Sequence, residues 1–305
     1  MSAQLKFKVG DKAPHGLFIR TAPVPQNGTK KALLPMGQLV VRKSISDVTP
    51  WWEVSTTLQS TALDGFVNSD FLVPEGSFTP PVEHSSLSPV HLRSALSVTR
   101  SGTARANPLN ETNQPTRDAM ATSADKVKAL GKIIQWLDVE NKKRYKPTGS
   151  STFCNVYSYD YCFLADAYLP RVWWMPNALA KILSGTPQSP IYAQTVEELT
   201  ANRIFNWLKE FGPKFGWRRT FDLTELQNAA NDGQVGIICA QRVDLHKPGH
   251  ICPVVPETST LKAGRSASSV VKPLQTNAGR TNWKYVARIW WNQSQFREFG
   301  FWIHA

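Results

Sequence analysis

No run of residues in this 305-residue chain approaches the ~18 consecutive apolar positions that a membrane-spanning helix needs. The opening stretch, MSAQLKFKVGDKAP, has none of the apolar core of a secretory leader, so no export signal is expected. Cysteine is scarce: four residues, at 154, 162, 239 and 252, none in a CxxC pair and none at zinc-site spacing. Neither a disulfide framework nor a metal centre is expected, and the thiols read as free. Concentrated charge is missing as well. The net charge of +12 is spread as an excess of two basic groups in 1–75 and five in each of 76–150 and 151–305. Its one dense cluster is Lys142-Lys143-Arg144. Nucleic-acid binders gather such charge on one face or arm, so a nucleic-acid partner is not expected; diffuse positive charge suits a polyanionic surface.

What is present is a globular composition, 41% hydrophobic and 19% charged, with 21 prolines and 18 glycines. Those punctuators predict many turns and short strands. Residues 7–74 alternate in period two between turn signals: LFIRTAP, ALLPMGQLVVRKSI, WWEVST and GFVNSDFLVP. Leu39-Val40-Val41 and Trp52-Glu53-Val54 are such stretches, and together they predict a small barrel over 1–75. Residues 76–122 turn to Pro, Ser, Thr and Asn, the composition of a linker or an extended wrapping segment.

The segment 123–305 predicts an α+β domain. Ser123 can cap a helix carrying Val127, Leu130, Ile133, Ile134 and Leu137 at helical spacing to about Val139. Further helices are expected near Cys154, over 196–211 and over 223–230. Strands are expected over 235–240, 250–255, 269–275 and 299–304, as an antiparallel sheet.

Chemistry concentrates in two blocks. In Ser151-Thr152-Phe153-Cys154-Asn155, Ser151 or Thr152 can cap a helix and place Cys154 in its first turn. There the helix dipole and free N–H groups would lower the thiol pKa, and the same N–H groups could hold an oxyanion. In Gly249-His250-Ile251-Cys252-Pro253, the histidine starts a strand and can serve as base to Cys154. Antiparallel pairing of strand 269–275 with the His250 strand would bring Gln275 to orient the imidazole; Asn277 and Asn282 are its rivals. Cys162 and Cys239 read as core. Cys252, at i+2 from His250, shares its face and can line the site. Of the tryptophans near the proposed cleft, Trp283, Trp290 and Trp291 among them, core packing is the expected role of each.

Two resemblances sharpen these expectations. Ile19-Arg20, Leu34-Pro35-Met36-Gly37, Trp52-Glu53-Val54 and Gly65-Phe66-Val67 with Phe71-Leu72 resemble the bacterial SH3 family, which implies a non-catalytic module that attaches to peptidoglycan or positions a catalytic neighbour. Arg144-Tyr145-Lys146-Pro147, Thr152-Phe153-Cys154-Asn155, Asp160, Gly249-His250-Ile251 and Gln275 through Gly279 resemble the papain-like NlpC/P60 and CHAP superfamily over roughly 140–305. That likeness is to a branch of phage and bacterial wall-lytic proteins. It implies a Cys154–His250–Gln275 triad that hydrolyses a peptidoglycan amide without metal or organic cofactor. It also implies Tyr145 near the oxyanion site, with Asn155, Asn277 and Asn282 as further candidates. The sequence departs from the common D-C-S-G nucleophile motif, and the bond cut stays open. So do two alternatives: an acyltransferase on the same fold, and a non-enzymatic wall-binding protein with a decayed triad. Without a leader, a lysin released by a phage, an effector injected with a cognate immunity protein, and a cytoplasmic enzyme all fit.

Overall fold

The computed structural model describes residues 5–13, 16–44, 50–58, 61–78 and 87–305; His15, His84 and the Ile45 end of the second expected strand run lie outside them. The chain divides into two compact units, 1–85 and 86–305. It is a mixed α+β protein with antiparallel sheets and five α-helices among the described residues.

In the first unit β1 (Lys6–Val9), β2 (Leu17–Arg20), β3 (Lys30–Leu34), β4 (Leu39–Arg42), β5 (Trp51–Leu58), β6 (Thr61–Asn68) and β7 (Leu72–Pro74) form one sheet. Its order is β3-β2-β6-β5-β4-β1-β7. The expected closed barrel does not form. Among the described residues β3 and β7 are the two edges, and no pairing joins them. The physical reason is β1, a charged Lys-Phe-Lys-Val strand that period-two hydrophobicity does not reveal. It pairs with β4 on one side and β7 on the other, carrying β7 to an outer edge. Val9, Ile19, Leu34, Val40, Val54 and Val67 are fully buried beneath the sheet, each contributing about 1.5–3 kcal/mol. Arg20, the arginine of the first motif, is buried and donates from Nη1 to the Gln26 carbonyl at 2.7 Å, a structural role. Gly65 is required where β2 and β6 cross closely: a Cβ there would meet the Arg20 carbonyl oxygen at 2.4 Å.

In the second unit, residues 87–122 form no helix or strand, yet Val90, Val98 and Leu109 are buried in its main core. Arg117 fastens this segment by donating to the carbonyls of Ala165, Gly233 and Ala305. Helix α1 (Ser123–Leu137) is capped by Thr122, one residue earlier than expected, whose hydroxyl accepts the Asp125 N–H. Helices α2 (Cys154–Leu164), α3 (Pro176–Leu183), α4 (Ala201–Glu210) and α5 (Leu223–Asn231) follow. β8 (Val172–Trp174) pairs with β9 (Val196–Glu198), so the first three residues assigned to the 196–211 helix are strand.

The main sheet comprises β10 (Trp217–Thr220), β11 (Val235–Arg242), β12 (His250–Val254), β15 (Leu274–Asn277), β16 (Trp283–Ala287) and β17 (Phe296–His304), in the order β10-β17-β11-β12-β15-β16. The expected 269–275 strand is broken at Pro273, which has no N–H to give a ladder. Its first half, β14 (Ser269–Lys272), leaves the sheet to pair with β13 (Gly264–Ser266). Only β15 joins β12.

Because side chains alternate along a strand, the sheet has two buried faces. On one, Ile237, Cys239, Ile251, Val255 and Leu274 pack under α1, α2, α3 and α4. On the other, Ile238, Ala240, Cys252, Val254, Phe301 and Ile303 pack with α5 and the Trp290–Trp291 pair.

Candidate functional site

Helix α2 begins at Cys154, with Phe153 in the cap position and no side-chain cap. Ser151 and Thr152 therefore do not cap it; Ser151 is held instead in a backbone bridge with Thr148. The first-turn amides stay unclaimed by a side chain. The N–H groups of Cys154, Asn155 and Ile251 bear on the Cys154 sulfur and favour its thiolate, but burial outweighs them and the thiol is pushed up to about 11. The expected lowering does not occur, because the sulfur lies in the main core, 4% exposed.

His250 opens β12. Its Nε2 lies 2.8 Å from Asn277 Oδ1. The Asn277 amide nitrogen is already donating to the Thr281 carbonyl at 3.0 Å, so its oxygen faces the ring and can only accept. Nε2 consequently carries the proton, and Nδ1 keeps the basic lone pair with no partner among the described residues. Cys252, two residues along the strand, donates to the same Asn277 oxygen at 3.0 Å and sits 3.2 Å from Nε2. The Trp290 indole meets the imidazole edge-on, with centroids 4.5 Å apart. Burial, only partly offset by the Asn277 bond, lowers the His250 pKa to about 4.

Gln275 does not orient the imidazole. Register pairs Val254 with Gln275, and strand alternation then sets Asn277 across from Cys252, two residues nearer to His250. The Gln275 oxygen instead accepts the Trp290 indole N–H at 2.7 Å, and its nitrogen donates to the Pro273 and Arg288 carbonyls. Gln275 holds the ring that packs on His250.

Tyr145 is fully buried, donating to Asp160 at 3.0 Å in a cluster where Arg144 makes two hydrogen bonds to the same carboxylate. It lines no cavity at the cleft and is not an oxyanion donor. Burial raises the Asp160 pKa against the pull of Arg144. Asn155 donates to the Leu199 carbonyl at 2.8 Å. Asn282 accepts from the Gly279 N–H and donates to the carbonyls of Val139 and Tyr145, a brace rather than a reacting group.

His250, Cys252, Asn277, Gln275 and Trp290 line a cavity of about 660 Å³ that Arg242, Arg280 and Arg288 also border. Cys154 stands on the other face of the sheet, in the core that contains Ile251. No hydrogen bond joins it to His250 among the described residues. The Ile251 N–H, in the peptide that follows His250, is among the groups that favour the Cys154 thiolate. Sequence reasoning passed over Trp290 as packing; nothing in a Trp-Trp pair distinguishes a ring against a histidine from one in the core.

Among the described residues no cluster of three or more His, Cys, Asp or Glu is placed to hold a metal, and no helix is long and apolar enough to cross a membrane. No model of a known protein family matches the chain, and neither a curated protein nor a solved structure matches it.

Proposed function

We propose that the second unit is a papain-like cysteine amide hydrolase acting on bacterial peptidoglycan, and that the first is an SH3-like wall-binding module. The observation that carries the catalytic reading is the state of His250. Its Nε2 is fixed on Asn277 and its ring packed by Trp290, at the edge of a cavity, while Nδ1 has no hydrogen-bond partner among the described residues. The wall substrate is supported by the sequence resemblance and by a diffuse charge of +12 that suits a polyanionic wall.

Thiol and imidazole both rest neutral at pH 7, with Cys154 raised to about 11 and His250 lowered to about 4. Proton transfer therefore accompanies attack rather than preceding it as an ion pair. In this reading the start of α2 shifts to bring the Cys154 sulfur out of the core to the His250 side; Nδ1 then takes its proton as sulfur adds to the amide carbonyl, and the N–H groups of Cys154 and Asn155 hold the oxyanion. The imidazolium then protonates the leaving amine. Water, deprotonated by Nδ1, cleaves the thioester and returns the free thiol and a carboxylate. In this reading delivery to the wall comes from release or injection by other machinery.

The deciding experiment digests purified peptidoglycan with wild type, Cys154→Ala and Cys252→Ala, and weighs the fragments. Wild type and Cys252→Ala should release fragments bearing new carboxylates, and Cys154→Ala none. A new amide in place of the carboxylate would mean acyl transfer. Intact wall after treatment with the wild type would end the hydrolase reading.

A further inference from the structure

A second cavity, of about 710 Å³, is not used by the chemistry above. Thr152 lines both cavities, so they adjoin at the segment that leads into Cys154. Three arginines, Arg93, Arg105 and Arg171, border this second cavity with a single carboxylate, Glu198. Glu198 is already engaged: it pairs with Arg171 and accepts the Tyr192 hydroxyl at 3.2 Å. Arg171 is engaged too, donating also to the carbonyls of Arg105 and Leu199.

Arg105 is different. Its guanidinium lies 3.3 Å over the Phe153 ring, and its Nε is buried with no hydrogen-bond partner. No carboxylate pairs with it among the described residues. The side chain as a whole is only partly buried, but this Nε donor is shielded from solvent with nothing to donate to, a cost that an acceptor on a ligand would remove. A guanidinium fork is planar and matches a carboxylate with two parallel bonds. Stacking on Phe153 fixes the plane of that fork one residue before the nucleophile.

We propose that this cavity is a carboxylate subsite, in which Arg105 receives a free carboxylate of a peptide laid along the 151–155 segment. The link to turnover rests on the hydrolase reading; the binding does not. The test is calorimetric titration of the full-length Cys154→Ala chain, which cannot turn over, at low ionic strength. The probes are Ala-γ-D-Glu-Lys with the glutamate α-carboxylate free, the same peptide with that group amidated, and inorganic phosphate. The free acid should bind about tenfold more tightly than the amide. Arg105→Gln should abolish that difference, Arg105→Lys should keep part of it, and Arg288→Gln in the other cavity should leave it whole. Near-ultraviolet circular dichroism reports whether each variant keeps its packing. Equal affinity for acid and amide, no binding of either, undiminished discrimination in Arg105→Gln, or phosphate binding as tight as the acid would each overturn the proposal. Carboxylate discrimination in a chain that leaves peptidoglycan intact would uphold the subsite and remove the hydrolase reading alone.

Discussion

The two faces of strand β12 are built on opposite plans. Beneath α2, Ile251 faces a sealed core where Cys154 lies among apolar groups, Tyr157 is bonded to Thr276 at 2.6 Å, and the buried carboxylate of Asp160 is matched by Arg144. On the other face His250, Cys252 and Asn277 share one amide oxygen at the edge of a cavity bordered by arginines. Placing the sulfur on the sealed face and the base at the open one teaches how this site would control reactivity. Neither group is charged at rest, and in the hydrolase reading the sulfur must reach the open face before a proton can pass between them.

The sharpest way to break the contrast is to remove each thiol and the base in turn. Cys154→Ala and His250→Ala should each lower kcat by about 10³-fold or more, and Cys252→Ala by less than about tenfold. A Cys252→Ala loss as deep as that of Cys154→Ala would move the nucleophile to the open face. On the sealed face, Asp160→Asn leaves Arg144 buried without its counter-charge and should cost about 3–5 kcal/mol, read as a lowered urea midpoint. If stability holds, that core is wetter than its burial implies. Asn277→Ala should cost about 10²-fold in kcat with KM nearly unchanged, and Gln275→Ala, acting only through Trp290, about tenfold. A larger loss for Gln275→Ala than for Asn277→Ala would reverse their assigned roles.

The smallest effect is in pH. A histidine lowered from 6.5 to about 4 on folding stabilises the native state fully above 6.5. That contribution is lost as pH falls from 6.5 towards 4, since the unfolded chain binds the proton first. Urea midpoints of wild type should decline through this window more than those of His250→Gln. The acid limb of kcat/KM in the free enzyme should fall near pH 4. Iodoacetamide should label Cys154 slowly at pH 7 and faster as pH rises towards 11.

Much of this arrangement could be read from residue order. A cysteine opening a helix and a histidine opening a strand are both positional statements, and period-two counting already set Cys252 on the face of His250. The orienting residue was missed by two positions. Register depends on where a strand leaves its neighbour, and Pro273 cuts the expected strand so that only Leu274–Asn277 pairs with β12. Burial of Cys154 was invisible too, because a helix start predicts a lowered pKa only if solvent reaches it. The contribution of 87–122 to the core left no signal, since Val90, Val98 and Leu109 stand singly among polar residues without a period. The open first sheet was missed for the opposite reason: β1 hides its one fully buried residue, Val9, behind alternating lysines.

The brace at Asn282 has a mechanical meaning. Together with Arg280 bonded to the Gly149 carbonyl, the Lys284 N–H bonded to Glu140 and Lys284 paired with Asp138, it rivets the 277–284 hairpin to the loop preceding the nucleophile. Opposite banks of the cleft, drawn from distant parts of the chain, thus move as one piece. Such a groove has no hinge on that side, so it selects ligands by the shape it already has, and it takes form only once the last quarter of the polypeptide has returned to its middle.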